Sequence, residues 1–298
     1  MKKLLALLLA MMMLVTAVAC TDMGEDPNDS VVVNIGVEAM TYTDAATGDV
    51  YTYDYLNSTS IVITDFTSAN YEPHAITIPD TITVVTKKEG SGTSTEMDMT
   101  VTAIGDQAFY AMSNISEVNF NSSLTSIGAF AFANCESLDN VVLPASLTEI
   151  GQGAFFSCDK LTTITLNNGL TAIGDSAFYS CAVLENVTIP ASVTEIGVAA
   201  FSDCIAMTEI VLPEGVKNVG KFAFYNCTAV ESVTLPASIE KIGLYSFSTQ
   251  LRGRQVETEE EGVFETVDVV FNTVEGSYAA EYIANPPTAE DVESEGQA

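Results

Sequence analysis

Five cysteines stand at one fixed interval in this chain, Cys135, Cys158, Cys181, Cys204 and Cys227, each 23 residues after the last. Side chains repeated at such a spacing fall into a column when a chain coils, and thiols in a column have three chemistries open to them: disulfides, soft-metal ligation, or buried structural packing. Five is an odd number, no Cys-x-x-Cys pair occurs, and the single histidine, His74, lies far from the column in sequence. Those facts favour small buried thiols, one per turn of the coil. His74 is the one imidazole available to a catalytic triad, and no nucleophile is placed beside it by the sequence. The acids Glu257 and Glu259-Glu260-Glu261 lack the spaced Asp/Asn and turn glycine of a calcium loop and read as a solvated insertion. No catalytic residue, metal or cofactor is expected.

A sixth cysteine, Cys20, has a different setting. Met1-Lys2-Lys3 and the apolar run Leu4 to Ala19 form a charged start and an apolar middle too short to span a bilayer, which is the pattern of a secretory signal over residues 1–19. The run closes on Ala17-Val18-Ala19-Cys20, which resembles a bacterial lipobox, although Ala17 stands where Leu is commonest. Cys20 is accordingly expected to be lipidated and to tie the chain to a bacterial cell membrane or outer membrane, facing outside. With 40 acidic against 10 basic side chains, the formal charge is −30. Such a balance disfavours nucleic acid and anionic membrane surfaces as partners and leaves the lipid as the membrane contact.

The element that positions the cysteines is a repeat. Ile104-Gly105, Ile127-Gly128, Ile150-Gly151, Ile173-Gly174, Ile196-Gly197, Val219-Gly220 and Ile242-Gly243 keep the 23-residue clock, and so do Phe109, Phe132, Phe155, Phe178, Phe201, Phe224 and Phe247. A unit this short cannot bury its apolar face alone and must stack on its neighbours, so the periodicity predicts a solenoid of about seven coils. In the unit Leu138 to Leu161, Val141 and Leu143 point inward and Val142 outward, and Pro144 ends the strand because it has no N–H to donate. Gly151 is expected to take a backbone angle other residues resist, and Ala154-Phe155 to begin a short helical or 3₁₀ return.

The motif Ile-Gly-x-x-Ala-Phe-x-x-Cys-x-x-Leu-x-x-Val-x-Leu-Pro-x-Ser-Leu-Thr-x-Ile-Gly resembles the leucine-rich repeat of BspA-type bacterial surface proteins, over about Ile76 to Phe247. The segment Gly276-Ser277-Tyr278-Ala279 resembles the end of such arrays. The resemblance implies an exported adhesin-like or interaction protein. The matched positions are structural, so it carries no ligand-binding residue over.

The predicted fold class is therefore a mainly β repeat solenoid of the α/β type, a leucine-rich repeat array with an N-terminal β-rich cap. Its parts are a signal peptide (1–19), an acidic tether (20–30), and an N-terminal β-rich region (31–75). The solenoid follows (76–250) with an insertion near 80–100, then an irregular acidic insertion with a last strand and capping helix (251–283), and a disordered acidic tail (284–298). Val31-Val32-Val33 reads as a strand, and Val269 and Phe271 are expected opposite Val233 and Leu235, with Ser277 capping a helix from Tyr278 to Ile283.

Two surfaces are candidates for binding. The first is the outward strand row Asn119, Val142, Thr165, Thr188, Val211 and Thr234, flanked by Glu117, Asn140, Thr163, Asn186, Glu209 and Ser232, where small polar and β-branched side chains also suit a plain exposed sheet. The second is the residue after each ladder phenylalanine, aromatic at Tyr110, Phe156, Tyr179 and Tyr225, where partial burial between coils is the competing explanation. The reading is a non-catalytic, lipid-anchored surface module whose partner is an extracellular or cell-surface protein. The alternative is a carbohydrate-binding or glycan-processing accessory, with a hydrolase further off.

Overall fold

A computed structural model describes residues 40–87, 94–257 and 264–286. The chain divides into two compact units, one of 37–85 with 96–298 that carries the repeats, and one of 1–36 with 86–95. The signal peptide, Cys20, the tether, Val31-Val32-Val33, Glu259-Glu260-Glu261 and the tail from 287 onward lie outside the described residues.

The structure is mainly β. Strands β1 (Thr41–Thr43), β2 (Val50–Tyr55) and β3 (Ser60–Thr67) form an antiparallel meander. The turn after β1 carries Gly48 at φ 78°, an angle open to a residue without Cβ. Three further strands, β4 (His74–Thr77), β5 (Thr81–Lys87) and β6 (Ser94–Ile104), connect the meander to the repeats. β5 pairs with β6, so the insertion near 80–100 contributes paired strands. β3 then runs parallel to β6, with Ile63 opposite Ile104.

From Ile104 the chain climbs in register, because a parallel ladder between identical coils sets each residue beside its counterpart one period later. Ile104, Ile127, Ile150, Ile173, Ile196, Val219 and Ile242 are successive partners in one ladder. A second ladder runs through Thr77, Asn119, Asn140 to Val142 and Thr163 to Thr165, and resumes at Glu209 to Val211, Ser232 to Thr234 and Val270 to Asn272. Along these strands burial alternates, with Val141, Ile164 and Ile210 inside and their neighbours outside.

The third side of each coil departs from the sequence expectation. It is two consecutive turns rather than a helical or 3₁₀ return. Alternate N–H groups stay within the coil, as Tyr110 N–H to the Gln107 carbonyl (3.0 Å), while the others cross to the next coil, as Phe109 N–H to the Ala131 carbonyl (2.8 Å). The crossing bonds are made by residues two apart, and the conformation that allows it places non-glycine residues at positive φ, among them Ser176 (54°) and Ser180 (59°) in one coil. The ladder glycines are absent from the positive-φ set, which corrects the reading of Gly151. They are required for space: a Cβ on Gly151 would stand 2.7 Å from the Gly128 carbonyl carbon.

The core is one continuous column. Phe109, Phe132, Phe155, Phe178, Phe201, Phe224 and Phe247 are buried and stack face to face, with centroids 4.8 to 5.5 Å apart and ring planes within 15°. Phe66 of β3 extends the column at 5.1 Å from Phe109, so the meander shares the solenoid's core.

At the far end, α1 (Ser248–Leu251) and α2 (Tyr278–Ala284) close the stack. Ser277 caps α2 by accepting from Ala280 N–H (3.2 Å), and the Tyr282 hydroxyl donates to the Gly243 carbonyl (3.3 Å). Two expectations change here. The last strand sets Phe271, rather than Val269, opposite Val233. The segment read as irregular contains an antiparallel pair, Arg254–Glu257 with Phe264–Val267.

Candidate functional site

The cysteine column is structural in its geometry. Each thiol is buried and free, and each donates to the carbonyl of the phenylalanine 26 residues earlier: Cys135 to Phe109, Cys158 to Phe132, Cys181 to Phe155, Cys204 to Phe178 and Cys227 to Phe201, at 3.1 to 3.2 Å. The turn ladder leaves that carbonyl pointing inward, and the S–H of a short, weakly polar side chain satisfies it from inside the coil. Gln250, at the next position on the clock, makes the same bond with its amide, donating to the Phe224 carbonyl (3.3 Å) and to the Cys227 carbonyl (3.1 Å). Burial pushes the Cys135 and Cys227 thiols up to about 12. A hydrogen bond with Cys181, then burial, raises Cys158, and burial raises Cys204. Each thiol donates its S–H to a carbonyl, which can only accept, inside the packed coil. Among the described residues no three His, Cys, Asp or Glu side chains gather as a metal site.

The outward strand row is exposed along most of its length. Asn119, Thr165 and Thr188 face solvent, as do Val142 (56% exposed) and Val211 (46%). At its start lies a shallow hollow of about 230 Å³ lined by Glu117, Val118, Asn119, Phe120, Asn140 and Val142. Hydroxyl and amide groups bridge neighbouring coils across the face, as Thr163 Oγ1 to Asn140 Oδ1 at 2.7 Å.

Two members of the row differ from the sequence reading. Thr234 is half-buried, because the last strand lies beside it and Asn272 Nδ2 donates to its Oγ1 (3.2 Å). Thr188 lies outside any strand, since the ladder is interrupted at its coil. The cause is Asn186. Its Oδ1 accepts from the backbone N–H groups of Thr208 (3.0 Å) and Glu209 (2.9 Å), so a side-chain amide replaces the carbonyl that the preceding coil supplies elsewhere, as when Thr162 N–H donates to Asp139. The face is thereby split into a four-stranded and a three-stranded sheet, while the Ile-Gly ladder behind it stays unbroken.

The aromatic row is discontinuous. Tyr110 and Tyr225 are 46% and 42% exposed, whereas Phe156 and Tyr179 are half-buried and stacked on each other at 4.9 Å and 7°. Ala133 and Ser202 occupy the intervening places and are buried. A neighbouring column that sequence reasoning missed adds Phe130, Phe222 and Tyr245: Phe130 lies edge-on to Phe156, and Phe222 stacks on Tyr245 at 5.3 Å. All three keep the 23-residue clock, which was the available signal, but they sit at positive φ, where bulky side chains are uncommon. Phe156 with Tyr179 and Phe222 with Tyr245 turn ring faces to each other across neighbouring coils, whereas Tyr110 and Tyr225 stay exposed.

His74 and the acidic turn between β1 and β2 lie together at the same end of the strand face as the hollow, where β4 pairs with the strand of Asn119. The ring contacts Asp49 (Nε2 to Oδ2, 3.4 Å). No serine or threonine hydroxyl completes a triad among its hydrogen-bond partners.

Comparison with known proteins gives a consistent result. The model of the BspA type leucine-rich repeat region matches in 6 copies, over residues 87–205 and 171–266. A leucine-rich repeat protein from T. pallidum is similar in structure, with a TM-score of 0.56 and 28% identity over 69% of this chain and 87% of that one. One from Bacteroides ovatus has a TM-score of 0.56 and 26% identity, covering 67% of this chain and 55% of that one, so the present chain spans about half of its length. No protein of curated function matches significantly.

Proposed function

The chain belongs to the BspA-type leucine-rich repeat family, and from that premise we propose that it is a lipid-anchored bacterial surface protein whose strand face binds an extracellular or cell-surface protein. Leucine-rich repeat proteins generally bind other proteins. The observation that carries the reading is the outward row Asn119, Val142, Thr165 and Val211, an exposed face of short side chains held in register on a packed core. Short side chains let a partner's backbone approach closely and lose little rotamer entropy on burial. The stacking of Phe156 on Tyr179 favours a protein over a glycan, since ring faces turned to each other are unavailable to a sugar.

The test is a binding comparison of residues 22–298 against panels of purified extracellular-matrix proteins and of glycans. Replacing Thr165 and Thr188 together by Lys is expected to weaken binding to a protein ligand at least about tenfold, through bulk and reversed charge, while stability moves by less than about 0.5 kcal/mol. Loss of binding in Tyr179→Ala and Tyr225→Ala, with the lysine pair intact, would move the working surface to the aromatic row. In the full chain, Cys20→Ser is expected to shift the protein from the membrane fraction to the soluble one, since acyl chains hold by about 0.8 kcal/mol per buried CH₂. Membrane retention of that variant, with no lipid mass on the wild type, would remove the anchor from the proposal.

A further inference from the structure

His74 has an arrangement that no step of the binding proposal uses. It opens β4, the outer strand of the four-stranded sheet, and its backbone N–H donates to the Asn114 carbonyl (2.9 Å). Its ring lies between two oxygens. Nδ1 is 3.0 Å from the Glu72 carbonyl, and Nε2 is 3.4 Å from Asp49 Oδ2 in the turn between β1 and β2. A carbonyl oxygen can only accept, so Nδ1 carries a hydrogen. The Asp49 carboxylate accepts a hydrogen bond from the ring only when Nε2 carries a hydrogen as well. A neutral imidazole has a single N–H and satisfies one of the two contacts, whereas the imidazolium satisfies both.

The carboxylate needs that charge. Asp49 is 1% exposed, and its Oδ1 has no hydrogen-bond partner. A buried carboxylate is costly to leave without a counter-charge. The other ionisable groups around the pair are Asp44 in the same turn, Tyr42 of β1, Tyr51 of β2, Glu72 beside the ring, and Glu117 across from Ala75 on the adjoining strand. None of them is a cation. Asp44 spends its Oδ1 on the Ala46 and Thr47 N–H groups. Tyr51 donates its hydroxyl to the Thr77 carbonyl (3.0 Å), and burial, then Asp49, push its phenol up, so it stays neutral.

From this geometry we infer that His74 and Asp49 form a pH-sensitive clip that fastens the β1–β2 hairpin to the first strand of the repeat face and lets go when the ring loses its proton. The sign follows from the donors. The clip holds while the ring is charged and Asp49 is ionised, and it weakens as rising pH takes the second proton from the ring. Tyr51 and Thr77 remain as a second tie, so release frees the turn without unfolding the solenoid behind it.

Amide hydrogen exchange, read as protection factors so that intrinsic rates cancel, tests this between about pH 5 and 8. In the wild type, protection in β2 and β4 is expected to fall about tenfold across that range, while the amides of the central phenylalanine column stay constant. His74→Gln removes the titrating group and should give a flat profile at the weakly protected level. Asp49→Asn offers an N–H to the lone pair of a neutral ring and should be flat at the protected level. A wild-type profile without a step, or the same step in Asp49→Asn, overturns the clip. The wild-type titration decides on its own if either variant fails to fold. The chain's lone histidine also makes its ¹⁵N ring signals unambiguous, and a single protonated nitrogen at about pH 5 would equally overturn it.

Discussion

Phe178→Ala is expected to lower the unfolding free energy by about 3 to 5 kcal/mol, the upper part of the range for buried side-chain truncations. The ring is fully buried at the centre of the column, stacked on Phe155 at 5.5 Å and on Phe201 at 5.2 Å. Its removal leaves a cavity whose walls are two further rings fixed by their own coils, and the Phe178 N–H and carbonyl bonds to Ala200 and Cys204 hold the backbone in place, so collapse is restricted. Tyr179→Ala, one residue on, removes a half-buried ring that stacks on one side alone and should cost about 1 to 2 kcal/mol. Denaturation followed by circular dichroism separates the two, since the chain has no tryptophan to report on it. Coils couple only to their neighbours, so the larger loss at the centre should also broaden or split the transition. Equal costs for the two variants would mean that the inward and outward assignments on this side of the coil are mistaken.

What was legible in the sequence is what repeats. Parallel, in-register stacking brings each residue beside its counterpart 23 positions away, so the Ile-Gly clock is itself the pairing scheme, and Ile127 meets Ile150 as the spacing requires. The inward column of Phe and the outward row at Val142 follow from the same count. The cysteines were legible as buried thiols, but their partner was not, because the Phe carbonyls point inward only through the alternating turns on that side. Features that depend on one residue departing from its column were hidden. Asn186 occupies the place of Asn140 and Thr163, and the chemistry of an amide does not say that it will take two backbone donors from the next coil. Thr234 looked like Thr165 until the last strand, two residues out of the expected register, was laid beside it. His74 and Asp49 belong to different elements of the non-repeating cap, where no period relates them.

The glycine column was legible in position and misread in cause, and one substitution separates the two causes. Gly220→Ala is expected to destabilise the fold by about 3 kcal/mol or more, at the severe end of overpacking. A Cβ there would stand 2.5 Å from the carbonyl carbon and oxygen of Gly197 and 2.5 Å from the Val198 nitrogen, all of them backbone atoms that no rotamer change can move. Relief requires parting the coils, which stretches the bond from the Gly220 N–H to the Ile196 carbonyl (2.8 Å) and the Phe201–Phe224 stack (5.3 Å) together. Gly48 is the comparison, because it has the opposite reason for being glycine. Nothing lies within 4 Å of a Cβ built on it, and its φ is 78°, so Gly48→Ala should cost about 1 to 2 kcal/mol through conformation alone. Asparagine tells the causes apart, since it tolerates positive φ but is larger than alanine. Gly48→Asn should recover most of the loss, and Gly220→Asn should be at least as damaging as Gly220→Ala. Recovery at both positions, measured by the same denaturant titration, would show that the ladder glycine serves a backbone angle after all and that the coils have room between them.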